Sequence, residues 1–282
     1  MKNILILSPR LTRCVCCGVA VILAGLLCGQ TEAMLIAEDN LGYAPGALAG
    51  DNGGTGWGGA WQVWFGSAAV NNQQLVITGN TWIYRQLAAP VTLSAGDQIW
   101  FSFVAQETTP VATFAGLSTF LGWGEKGFIG DPFQFGNTWG LQPTGLGNGS
   151  QEVNSSAPAS TQSLLVARYD ISTNGMGTMT LWVDPSSMAE LVNQYSVATA
   201  AFIESPMLFD TIRLASGDGA MSFSDLRIGT TAFDVYPSVA AVPEPGIGIL
   251  FGLGFIEVVS MRYHALKAGR QTSVDAKPPS LP

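Results

Sequence analysis

Between Met34 and Pro237 the apolar residues come in short runs, separated by clusters of Gly, Asn, Asp and Pro. No long stretch repeats at helical spacing, so this region reads as strands and turns. Leu75-Val76-Ile77 and Trp82-Ile83-Tyr84 are two candidate strands. Ile99 to Val104 is a stronger one, with Ile99, Phe101 and Phe103 on one face. Phe114 to Phe120 and Gly127-Phe128-Ile129 follow. Leu164–Ile171 and Thr178–Val183 flank Ser172-Thr173-Asn174-Gly175, the clearest hairpin, because Asn-Gly tolerates positive φ. Thr211–Leu214 and Met221–Ile228 are the last strands, and in the latter Met221, Phe223, Asp225 and Arg227 share one face. A short helix is expected around Ser186–Val192, after Asp184-Pro185. Such spacing predicts an all-β sandwich rather than βαβ units. The 34 glycines among 282 residues supply its tight turns.

The two ends have a different character. Lys2, Arg10 and Arg13 precede an apolar run from Val15 to Leu27, and Thr31-Glu32-Ala33 offers small residues for cleavage. This run is short for a membrane span and reads as the helix of a signal peptide. A lipoprotein signal on Cys28 is disfavoured by bulky Leu27. All four cysteines, Cys14, Cys16, Cys17 and Cys28, lie in this leader. A processed chain would therefore hold no disulfide and no cysteine-ligated metal, and would rely on core area for stability.

At the other end Val242-Pro243-Glu244-Pro245 precedes an apolar stretch, Gly246 to Met261, interrupted by Glu257. Arg262, His264, Lys267 and Arg270 follow. Two prolines so close mark a boundary, and the basic cluster would stay on the cytoplasmic side of an apolar helix. This layout resembles the PEP-CTERM sorting signal, in which Pro-Glu-Pro is recognised by exosortase, a membrane transpeptidase-like enzyme. The resemblance makes Pro243, Glu244 and Pro245 the sorting motif. It implies an exosortase-type partner, membrane attachment through the tail, and delivery to the cell surface or matrix. Gly246 in place of the commoner Ser, the embedded Glu257 and the extension Gln271–Pro282 depart from that pattern.

A second resemblance covers most of residues 36–236. It is carried by Asn40-Leu41-Gly42-Tyr43-Ala44-Pro45-Gly46, by Asn52-Gly53-Gly54-Thr55-Gly56-Trp57, and by Trp182-Val183-Asp184-Pro185. Phe209-Asp210-Thr211-Ile212-Arg213-Leu214 and Phe223 to Thr230 carry it too. These segments look like bacterial surface proteins with a concanavalin A-like (LamG-like) jelly roll, a fold that hosts lectins, glucanases and adhesion modules alike. The expected divisions are a signal peptide over 1–33, a jelly-roll sandwich over 34–237 and a linker over 238–242. A sorting and membrane segment over 243–270 and a polar tail over 271–282 complete the chain.

Charge and chemistry narrow the function classes. From Met34 to Val242 there are five basic and 16 acidic residues, a balance of −11 that repels nucleic acid. The single histidine, His264, lies in the tail, so the core holds no Ser-His-Asp triad or histidine metal site. The Glu-x-Asp-x-x-Glu strand of jelly-roll glucanases is missing. Glu38 and Asp39 are adjacent and would point to opposite faces of a strand. Asp210, Asp218 and Asp225 are scattered. Gly54-x-Gly56-x-x-Gly59 follows no clear strand and does not read as a dinucleotide loop. Calcium is open, with Asp51-Asn52, Asp131 and Asp218 as candidates, none in a ligand-spacing motif. Among eight tryptophans, Trp57, Trp61 and Trp64 lie in a Gly-rich segment and are the candidates for a carbohydrate surface, with core packing as the competing role. Trp100 and Trp182 leave packing and sugar stacking both open. The sequence thus points to a non-catalytic surface or matrix protein, with exopolysaccharide as a candidate ligand. The alternative is a polysaccharide hydrolase or lyase with an unrecognised site.

Overall fold

A computed structural model describes residues 33–236, apart from 112, 134–135, 146–151, 193–196 and 204–205. The expected signal helix, the Pro243-Glu244-Pro245 motif and the apolar tail helix lie outside the described residues. Among the described residues no helix is long and apolar enough to cross a membrane.

The strands in chain order are β1 (Leu35–Asp39), β2 (Gly46–Ala47), β3 (Gln62–Asn71), β4 (Gln74–Leu93) and β5 (Gln98–Thr109). Next come β6 (Ala115–Leu121), β7 (Gly124–Asp131), β8 (Thr138–Gln142), β9 (Val153–Pro158) and β10 (Ser163–Ile171). The last are β11 (Met176–Val183), β12 (Ala198–Ile203), β13 (Met207–Ser216) and β14 (Ala220–Gly229). Two short helices are α1 (Met188–Val192) and α2 (Ala232–Val235). The pairings are antiparallel throughout.

Two layers are joined by one long strand. The first runs β12-β11-β10-β5-β14, with β1 beside the end of β14. The second runs β13-β6-β7-β8-β9. β4 belongs to both: Leu75 to Thr78 pair with β14, and Thr81 to Leu93 pair with β13. The two strands read at 75–77 and 82–84 are therefore one, bent where Gly79 takes φ +62°. Glycine and bulges at such a corner let a strand pass from sheet to sheet.

The core fills the space between the layers. On β5, Ile99, Phe101, Phe103 and Ala105 are buried inward. Phe101 meets Tyr169 of β10 at 4.9 Å and Phe209 of β13 at 5.8 Å between ring centroids. The opposite residues of β5 face a second, smaller core. There Trp100 stacks on Trp182 at 5.4 Å, under Leu191 of α1 and Ala232 and Val235 of α2. Both tryptophans are thus packing residues, and the sugar-platform reading does not apply to them. The two helices cover the outer face of the first layer, which leaves the outer face of the second layer as the place to look for a site.

Strand β14 departs from simple alternation. Asp225 takes φ +53°, and the register shifts between Ser224 and Arg227. The bulge returns Leu226 and Ile228 to the core side that Met221 and Phe223 occupy, instead of the Asp225 and Arg227 that alternation predicts. In the 172–175 hairpin only Gly175 has positive φ. Asn174 acts through its side chain, whose Oδ1 accepts the Met176 N–H at 3.1 Å.

Candidate functional site

The outer face of the second layer is aromatic. Trp82 and Tyr84 point outward from β4, beside Phe120 of β6 and Arg213 of β13. At its margin β3 carries two bulges, between Val63 and Phe65 and between Phe65 and Ser67. These turn the neighbours Trp64 and Phe65 both to solvent, where ideal alternation would bury one. Across the groove, Gly122 and Trp123 form the turn between β6 and β7, with Leu121 paired to Gly124. Gly122 takes φ +56°, as the first position of a two-residue hairpin turn demands, and this places Trp123 at the tip.

Trp123 is 79% exposed and Trp64 is 54% exposed. Their rings lie 4.6 Å apart, and Tyr84 is 5.4 Å from Trp64. The groove they line has a volume of about 500 Å³. Gln62, Gln86, Asp210 and Thr211 contribute its polar rim. Aromatic faces attract the partly positive C–H face of a pyranose, and amide, hydroxyl and carboxylate groups can bond its hydroxyls. Concave sites of this size with a few polar groups are typical of small-ligand pockets.

Arg213 packs among the aromatic rings beside the groove. Its guanidinium lies 4.6 Å from the Phe120 ring and 5.0 Å from the Trp82 ring, and it donates to Ser118 Oγ and Glu125 Oε1. Burial pulls its pKa below the ordinary arginine value, and Glu125 opposes that shift. Burial also pushes the Tyr84 phenol up, with the Arg213 charge working the other way. The Arg213 charge is matched by Glu125.

Of the three tryptophans singled out by sequence, only Trp64 belongs to this groove. Trp61 is 1% exposed and is a core residue, which corrects its place among the carbohydrate candidates. Trp57 is half-buried. Both rings pack on Arg85, at 5.5 Å and 4.8 Å. Arg85 is paired with Asp39, and Asp39 also accepts from Tyr43 Oη, Trp61 Nε1 and the Leu41 N–H. Arg85 donates further to Gly59 O, Gly53 O and Asn52 Oδ1. This is a satisfied buried network, structural in character. Gly54 and Gly56 lie against β1 with positive φ, where a Cβ would meet Glu38 O and Ile36 O at 2.0 and 1.9 Å. The Gly-rich loop is thus a packing element. Trp123 and Tyr84 were missed by sequence reasoning, although a tryptophan between two glycines at a strand junction is the signal of an exposed turn tip.

The acids expected to be scattered are scattered. Asp210 lines the groove, Asp218 accepts from Thr113 Oγ1 at 3.2 Å, and Asp225 sits at the β14 bulge. Among the calcium candidates, Asn52 Oδ1 is already held by the Arg85 cation at 2.9 Å, which disqualifies that oxygen. Asp131 is buried beside Glu107 at the end of the core.

No protein-family model matches the chain, and no curated protein does. Among solved structures it is similar to the endo-β-1,4-glucuronan lyase of the fungus Trichoderma reesei. The two share 12% identity over 64% of this chain and 93% of that one, with a TM-score of 0.36. The globular domain of T. cruzi calreticulin is similar at 12% identity over 72% and 90%, with a TM-score of 0.38. Arcelin-5, a lectin-like defence protein from Phaseolus vulgaris, is similar at 9% identity over 61% and 91%, with a TM-score of 0.36. These likenesses are too slight to transfer a role to the chain.

Proposed function

We propose that the chain is an exported, non-catalytic protein of the cell surface or extracellular matrix. In this reading its two-layer domain is a concanavalin A-like jelly roll that binds carbohydrate through the Trp64–Tyr84–Trp123 groove. The observation that carries the binding role is the cluster of exposed rings around a groove with a polar rim. An exposed aromatic patch is unfavourable in water unless something covers it. A glycan covers it with C–H faces on the rings and hydroxyls on the rim.

Two features favour binding over catalysis. Asp210 is the one carboxylate lining the groove among the described residues, whereas a retaining glycosidase needs two carboxyls about 5–5.5 Å apart. Tyr84 is the one phenol lining the groove among the described residues, and burial raises its pKa, which works against a role as the base of a lyase. The cell-surface half of the reading rests on the leader and on Pro243, Glu244 and Pro245, handled by an exosortase-type enzyme at the membrane. An exopolysaccharide fits as the ligand, and nucleic acid does not fit an acidic domain.

A glycan array probed with the wild-type chain and with Trp123→Ala tests the binding role. Retention by wild type and loss in the variant are expected. Equal signals from the two, or no signal from either, would count against it. Mass spectrometry of the termini after cell fractionation tests the export route. Surface material lacking the leader is expected, and a cytoplasmic chain retaining Met1 would contradict it.

A further inference from the structure

We propose that the Trp64–Tyr84–Trp123 groove takes uncharged glycans and turns away those bearing carboxylate, sulfate or phosphate, with Asp210 as the residue that sets this choice. The inference rests on the carbohydrate reading and names the class of sugar that the groove accepts.

An irregularity in β13 aims Asp210 into the groove. The register of β13 against β4 shifts between Phe209, which pairs with Val91, and Thr211, which pairs with Gln86. Phe209 and Ile212 are both buried in the core. The two residues between them, Asp210 and Thr211, both line the groove, where ideal alternation would send one inward. Bulges of this kind re-aim side chains beside functional sites. Thr211 Oγ1 donates to Asp210 Oδ1 at 2.9 Å, a bond that holds the carboxylate at the rim.

Among the described residues no cation lines the groove to balance this acid. Five basic residues lie between Met34 and Val242, and each has its place elsewhere. Arg85 is buried with Asp39. Arg168 pairs with Asp170 and lies over Trp100 and Trp182, on the outer face of the first layer. Arg227 stands opposite Glu38 where β1 pairs with β14. Lys126 follows Glu125 on β7 and is not part of the groove lining. Arg213 is 8% exposed and ion-paired with Glu125, so its charge is already spoken for.

A neutral sugar suits such a groove. It offers C–H faces to the rings and hydroxyl donors to the Asp210 carboxylate. An acidic sugar would bring a second anion against Asp210 in a groove partly cleared of water, where like charges repel strongly. Juxtaposed like charges suppress wrong partners across an interface. The balance of −11 over residues 34–242 acts in the same sense at longer range.

The test arrays cello-, manno- and galacto-oligosaccharides beside counterparts oxidised to uronates. They are probed with the purified chain at physiological salt, where a Debye length of about 8 Å screens remote acids but not Asp210. Groove binding is the part of the signal lost in Trp123→Ala. Wild type should favour each neutral chain it retains over its oxidised counterpart by at least about tenfold. Asp210→Asn keeps the shape and removes the charge, and should cut that preference to about threefold or less. Gln86→Lys, which sets a cation on the same rim while keeping Asp210, should do the same. Equal or stronger retention of the oxidised chains by wild type overturns the proposal and leaves the carbohydrate reading standing. A preference that survives at full strength in either variant overturns it too. Absence of any Trp123-dependent retention, neutral or oxidised, would instead overturn the carbohydrate reading, and the proposal with it.

Discussion

Replacing Asp39 with Asn tests whether the buried Asp39–Arg85 pair organises the β1–β4 corner. The substitution preserves shape, so it removes charge without opening a cavity. Arg85 is as buried as its partner, and both side chains are 1% exposed. Leaving one buried charge without its partner costs about 3–5 kcal/mol. The carbonyls of Gly53 and Gly59 still hold the guanidinium, which argues for the lower part of that range. For a domain of this size each kcal/mol shifts the midpoint by about 2–4 °C, so a fall of about 6–16 °C is expected in thermal unfolding followed by circular dichroism. A second readout comes from Tyr43, whose phenol is pushed up to about 12 by burial and by the bond to Asp39. In Asp39→Asn that phenol should titrate nearer its usual value. The folded wild type holds this proton above the unfolded tyrosine pKa of about 10. Its stability therefore falls as pH rises from about 10 through about 12, and the variant shows less of that loss. Adding Arg85→Met to the variant should recover part of the stability, because removing both partners of a buried pair is far less harmful than removing one. Additivity of the two single losses within about 0.5 kcal/mol would refute the coupling.

Other outcomes follow from the packing. Trp182→Ala empties the space between Trp100 and Leu191 and should cost about 3–5 kcal/mol by urea unfolding, without touching the groove. Gly56→Ala places a Cβ 1.9 Å from Ile36 O at φ +80°, so a loss well above the 1–2 kcal/mol of left-handed strain alone is expected in the same assay. Asp225→Gly should be neutral or stabilising by up to about 1 kcal/mol, because it relieves a non-glycine residue at φ +53°. Asp225→Val should destabilise instead.

The parts of the fold legible in sequence were those with one clean apolar face. β5, β10 and β11 show it, and they form the heart of the first layer. β3 was illegible because two bulges and Gly66 leave most of its side chains exposed on both sides. β9, with the sequence Val-Asn-Ser-Ser-Ala-Pro, is a polar edge strand that carries no pattern. β14 was seen, but its facing was misread beyond Ser224, since a bulge at an aspartate leaves no sequence mark. The site was half legible. Trp64 was found because aromatic residues in a Gly-rich segment stand out. Trp61 looked identical to it in sequence and was separated only by Arg85, delivered from a strand 24 residues later. Asp131 was singled out in sequence but its pairing with Glu107 was not, because that depends on two strands from opposite layers ending at the same point.

The most direct measurement of the central claim is calorimetric titration of the purified chain with the best-retained glycan, beside Trp64→Ala, Trp123→Ala and Trp57→Ala. The account predicts that Trp64→Ala and Trp123→Ala each weaken binding at least tenfold, while Trp57→Ala, at the Arg85 network, leaves the affinity of the folded chain unchanged. Full affinity in both groove variants would contradict it.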